Sequence, residues 1–119
     1  MGNTRRAMYR EMGKLKPQDA INQLSRPDHS LIFQFRTQHT MLNCDINRFN
    51  PLHLPLCRNC GHPYETVGHV LFECPVLEET RRQLLPRLPS TENVLYGPRT
   101  QLVNTCLFIR LALRMNVIC

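Results

Sequence analysis

Nothing in this sequence approaches the run of roughly 18 apolar residues that a membrane span needs. Its first sixteen residues, MGNTRRAMYREMGKLK, hold no apolar stretch of signal-peptide length. The opening Met-Gly-Asn has Arg6 where a myristoylation signal wants serine or threonine. The chain is therefore expected off the membrane, in the nucleus or cytoplasm. Lysine is scarce: thirteen of the fifteen cations are arginine. Aspartate occurs three times only, at Asp19, Asp28 and Asp45, each standing apart in a candidate cap or helix, and there is no Y-x-D-D. That excludes the paired-aspartate magnesium site on which polymerases depend, and no RNase H carboxylate cluster is present either. His29, His53 and His62 have no nucleophile or acid partner that the sequence identifies, so no catalytic residue is expected and the protein is read as a non-enzyme. No segment makes a convincing strand.

Cysteine, by contrast, is abundant and clustered. Cys57, Cys60, His69 and Cys74 form C-x2-C-x8-H-x4-C within CRNCGHPYETVGHVLFEC. Three thiolates and an imidazole at such spacings suit one tetrahedral Zn2+, with the first pair gripping the metal from a tight turn. These ligand types favour zinc over hard cations such as magnesium. Four protein ligands leave no open position for water, so the site reads as structural. The alternative is three disulfides among the six cysteines of a secreted protein; the missing signal sequence argues for a reducing compartment and hence for metal. Cys44, Cys106 and Cys119 lie far from the cluster and are expected as buried apolar thiols. His62 could compete as a ligand, but its turn position favours exposure.

At 119 residues the chain is one domain plus a tail. The expected division is a basic N-terminal arm, 1–16, and a helical zinc-binding domain, 17–119, with its zinc loop at 57–74. Net charge is +6. The arm carries Arg5, Arg6, Arg10, Lys14 and Lys16 against Glu11, and can neutralise phosphates or serve as an ordinary solvated terminus.

Proline punctuates a helical pattern. Pro17 can start a short helix through Leu24, with Ala20, Ile21 and Leu24 on one side. After the break SRPD, Asp28 is a candidate N-cap for a helix whose apolar face is Leu31, Ile32 and Phe35. A short helix is expected over 41–49, with Leu42 and Ile46 four apart, before Pro51 and Pro55 forbid regular structure. Thr66 can cap a two-turn helix bearing Val67, Val70 and Leu71 inward. On an unbroken helix His69 and Cys74 would point about 140° apart. Pro75 biases Cys74 away from helical geometry and lets its thiolate turn back to the metal. A helix over 75–85 follows, then a turn capped by Ser90 or Thr91. The last helix, about 98–115, buries Leu102, Cys106, Ile109 and Leu113. The fold class is all-α: a small helical domain organised around one structural zinc.

LIFQFRTQHTMLNCDINRF, PLCRNC, ETVGHVLFECP and LEETRRQLLP together resemble the C-terminal region of non-LTR retrotransposon (LINE-like) reverse transcriptase polyproteins. That family carries an "LRTGH" segment and then a CCHC cluster ending in "E-T-x-x-H-x-L-x-x-C-P". Glu65, Thr66, His69, Leu71, Cys74 and Pro75 match the second string; Arg36, Thr37 and His39 match the first. ENVLYGPRTQLVNTCLFIRLALRM is similar to the closing region of many such polyproteins, so the resemblance covers about residues 26–115. Gln38 stands where the family usually has glycine, which argues against a tight turn there. The resemblance implies a zinc-binding module downstream of reverse transcriptase that contacts template RNA or target DNA.

Two function classes follow. The first is a nucleic-acid-binding module, RNA or DNA, in which Arg36, Arg48, Arg58, Arg81 and Arg82 supply phosphate contacts and Tyr64 stacks on unpaired bases. Phe72 offers a second stacking ring or a core residue. The second class is a protein-interaction or purely structural domain, with the arginines as solvated surface. The segment around Arg36 is expected beside the zinc loop, with Arg36 at the rim of the metal site. There it would pair with Glu65 or Glu73, or contact a phosphate.

Overall fold

Serine and proline start the first long helix. In the computed structural model, which describes residues 19–114, helix α1 spans Arg26–Thr37. Its N-cap is Ser25, whose Oγ accepts from the Asp28 backbone N–H at 3.4 Å, and a proline occupies its first turn. Asp28 is thus a first-turn residue and not the cap expected from the sequence. Instead its carboxylate pairs with Arg110 at 2.6 Å. Ahead of α1 the expected helix shrinks to one 3-10 turn, Ala20–Gln23, capped by Asp19. The expected arm, Pro17 and Cys119 lie outside the described residues.

α1 ends at Gln38 in the left-handed region, φ 59° and ψ 33°, with the His39 N–H returning to the Gln34 carbonyl. The tight turn that glutamine argued against is therefore present. Glutamine tolerates it because the closing backbone bonds fix the turn, at a steric cost that glycine would not incur.

Helix α2, Asn43–Phe49, starts two residues later than expected, with Leu42 as its cap residue, fully buried. After the metal loop a 3-10 turn, Pro75–Leu77, leads into α3, Glu78–Leu84. Ser90 and Asn93 form a reciprocal capping box that begins α4, Thr91–Tyr96. Gly97 follows, and a Cβ there would meet the Asn93 carbonyl oxygen at 2.4 Å, so the helix can leave so abruptly only through glycine. Helix α5, Arg99–Ala112, is the central element and packs against α1, α3, α4 and the 3-10 turn at 20–23. No strand occurs among the described residues.

Most of the expected apolar faces are buried, although Leu24, Ile46 and Val67 are only half-buried. Leu31, Ile32 and Phe35 from α1 meet Leu102, Cys106, Phe108 and Ile109 from α5, with Val70, Leu71, Val94 and Leu95 completing the core. Fully burying one such side chain is worth about 1.5–3 kcal/mol. Thr105 is buried among them without cost, because its hydroxyl donates to the Val94 carbonyl at 2.8 Å and accepts from Gln101. Cys106 is buried as expected, whereas Cys44 is only half-buried. None of the described helices is long and apolar enough to cross a membrane.

Candidate metal centre

Two local structures bring the four ligands together. The first is the turn holding Cys57 and Cys60. The Cys57 N–H donates to the His62 carbonyl at 2.8 Å and the Gly61 N–H to the Cys57 carbonyl at 2.9 Å. Gly61 sits at φ 80°, a conformation open to glycine with no steric cost, and so closes the turn behind Cys60. The second is a helical stretch at 67–73, capped by Thr66, whose Oγ1 accepts from the His69 N–H at 3.0 Å. Its last five residues, His69–Glu73, form a wide π-type turn that the Cys74 N–H closes onto the His69 carbonyl at 2.7 Å. That i→i+5 closure brings His69 and Cys74 nearly into register, where a regular helix would splay them. Pro75 then holds Cys74 extended, at ψ 118°, as the sequence led us to expect.

The ligand atoms of Cys57, Cys60, His69 and Cys74 all lie within 4.8 Å of one another. Cys57 and Cys74 Sγ are 3.8 Å apart, and Cys60 Sγ is 3.3 Å from His69 Nε2. A tetrahedron with bond lengths of about 2.3 Å to sulfur and 2.0–2.1 Å to nitrogen needs sulfur–sulfur edges of about 3.8 Å and sulfur–nitrogen edges of about 3.5 Å. The Cys57–Cys74 and Cys60–His69 separations are close to such edges, the four residues could hold one metal ion, and Cys57, Cys74 and His69 are buried. His62 is exposed and outside the set, but its ring stacks on His69 at 4.4 Å.

The pKa values of the cluster residues are shifted in different directions. Burial pushes the Cys74 thiol up to about 11. Burial acts upward on Cys60 too, but the His62 backbone and the thiols of Cys57 and Cys74 hydrogen-bond to its thiolate and bring its pKa below the ordinary value. Burial, and then His62, lower that of His69, which favours the neutral imidazole a metal requires.

Glu65 braces the first turn from behind. It is fully buried, 0% exposed. Its carboxylate accepts from the backbone N–H of Asn43 at 2.8 Å and of Arg58 at 2.9 Å, and pairs with the Arg58 guanidinium at 3.0 Å. Arg58 also donates to the Met41 carbonyl. Next to it, Asn59 donates to the Ala112 carbonyl at 2.9 Å, tying the metal turn to the end of α5. Sequence reasoning missed Asn59, and nothing in its local pattern signals a partner 53 residues away.

The arginines singled out from the sequence are all engaged within the chain. Arg36 pairs with neither Glu65 nor Glu73. Only 11% exposed, it makes a bidentate pair with Asp19 at 3.0 Å, donates to the Leu95 carbonyl at 2.7 Å and lies 4.1 Å over the Tyr96 ring. Arg81 donates to the Leu71, Val70 and Cys74 carbonyls, closing the end of the metal-loop turn. Arg48 pairs with Asp45, and exposed Arg82 pairs with Glu78 and Glu79. Tyr64 is 58% exposed beside the metal turn, while Phe72 packs against the core. Among the described residues, Arg26, Arg87 and Arg99 are exposed and make no ion pair or hydrogen bond. Comparison with protein-family models, with curated proteins and with solved structures gave no match.

Proposed function

We propose that this chain is a non-catalytic module folded by one structural zinc ion, and that it binds RNA or DNA through phosphate contacts. The observation that supports the first half is the convergence of Cys57, Cys60, His69 and Cys74, whose ligand atoms lie within 4.8 Å of one another, with Cys57–Cys74 at 3.8 Å and Cys60–His69 at 3.3 Å; three thiolates and an imidazole are a donor set that suits a four-coordinate structural zinc. The second half is supported by the motifs that resemble retrotransposon polyproteins, by the net charge of +6 and by the cations still free to meet phosphate. Those are Arg26, Arg87 and Arg99, together with Arg82, whose exposed ion pairs exchange readily for phosphate; Arg48 is half exposed but is held by buried Asp45 and the Gln38 carbonyl. Tyr64, 58% exposed, would offer its ring for stacking on a base.

Filter binding of the zinc-loaded protein to single-stranded RNA, single-stranded DNA and duplex tests the proposal. Affinity should fall with salt at a log–log slope of roughly −0.7 to −0.9 per phosphate neutralised. Joint replacement of Arg26, Arg87 and Arg99 by alanine should flatten that slope for every sequence alike. Undetectable binding at low salt to all three would favour the second reading, a protein-interaction domain. One observation supports it: the end of α2 and the proline-broken segment after it expose Phe49, Leu52 and Leu54, with Leu52 91% exposed.

A further inference from the structure

His69 has two ring nitrogens, and only one is accounted for by the cluster. Nε2 faces the Cys60 thiol at 3.3 Å and is the nitrogen presented to a metal. Nδ1 is buried on the other side and has no hydrogen-bond partner. A neutral imidazole that ligates through Nε2 carries its proton on Nδ1, so a buried donor is left needing an acceptor. One carboxylate oxygen is aimed at it: Glu73 Oε1, one turn further along the same helical stretch, stands 3.8 Å from Nδ1. The Glu73 side chain is exposed and makes no other hydrogen bond or ion pair. A movement of about 1 Å by this exposed side chain closes the gap to an ordinary hydrogen bond.

We infer that Glu73 is a positioning residue for the metal centre, accepting the Nδ1–H of His69 and thereby fixing the tautomer and ring orientation that present Nε2 to zinc. This rests on the reading of the cluster as a zinc site. Carboxylates that orient ligating histidines in this way raise ligand basicity and metal affinity. The π-type turn gives the arrangement its economy of sequence, since a single stretch supplies the ligand, its orienting acid and the next ligand, Cys74.

The test is zinc affinity by competition with a chromophoric chelator on the full chain. Wild type is compared with Glu73→Ala, Glu73→Gln and, as a matched loss of an exposed acid on α3, Glu79→Ala. Cobalt spectra of each variant report whether three thiolates and one imidazole still bind. Glu73→Ala should weaken zinc by about 10–100-fold while keeping the tetrahedral cobalt spectrum. Glu73→Gln should recover part of the loss, because its amide oxygen accepts the same N–H although the charge is gone. Glu79→Ala should bind within about twofold of wild type, since it makes no contact with a ligand. Equal affinity of Glu73→Ala and wild type would overturn the inference, as would a glutamine variant no better than alanine, which would reduce Glu73 to a distant charge. A wild-type chain that gives no tetrahedral cobalt spectrum would instead remove the zinc reading, and this inference with it.

Discussion

Glu65→Ala is the substitution that most directly probes how the metal turn is held. Glu65 is a buried charge with every contact made: two backbone N–H groups and the Arg58 guanidinium converge on its carboxylate. Breaking a fully buried ion pair costs about 3–5 kcal/mol. Arg58 is 27% exposed and can rotate its charge into water, so the pair itself is worth less here than that range. Each half-buried N–H left unpaired, at Asn43 and Arg58, adds about 1 kcal/mol. We expect a total of about 3 kcal/mol, which for a domain of this size lowers the melting temperature by about 12–24 °C. Glu65→Gln, which keeps the volume and one acceptor, should lose roughly half of that. The assay is thermal unfolding of the zinc-saturated protein followed by circular dichroism, with a double-mutant cycle against Arg58→Ala. A coupling energy of about 1–3 kcal/mol is expected for partners in one network. An alanine variant that melts within about 4 °C of wild type, or a coupling near zero, would refute the view that Glu65 and Arg58 clamp the turn.

Exhaustive chelation should melt most of the helical signal, since structural zinc contributes on the order of 10 kcal/mol in small domains, comparable to a whole stability margin. Cys60→Ser and His69→Ala should mimic it, and unchanged melting after chelation would defeat the claim. Gln38→Gly should stabilise by about 0.5–1 kcal/mol, because relief of the left-handed backbone outweighs glycine's entropic cost; a lower melting temperature would contradict this. Burial pushes the Cys106 thiol up to about 12, so at pH 8 on the order of one in ten thousand is ionised. Iodoacetamide should therefore label half-buried Cys44 in the native protein and spare Cys106, as read by peptide mass spectrometry.

The cysteine–histidine cluster was legible in the sequence because each pair within it is local. Cys57 with Cys60 needs only a turn, and for His69 with Cys74 the break at Pro75 is written in the adjacent residue, although the π-type closure that brings them together is not. The helical faces were legible for the same reason: Leu31, Ile32 and Phe35, like Leu102, Cys106 and Ile109, recur at the helical period whatever they pack against. The sequence could not reveal the π-type turn, because a helix and its widened form share one apolar pattern.

The jobs of the charged side chains were decided only in three dimensions. Arg36 looks like a surface cation until Asp19, Leu95 and Tyr96 close around it from 17, 59 and 60 positions away. Arg81 has its partners in carbonyls, which no sequence pattern displays. Glu65 resembles an ordinary acid ahead of a helix and is in fact the most deeply buried charge described. A side chain's charge is fixed by its residue type, but its free energy depends on what it meets after folding, and for these arginines that is the chain itself.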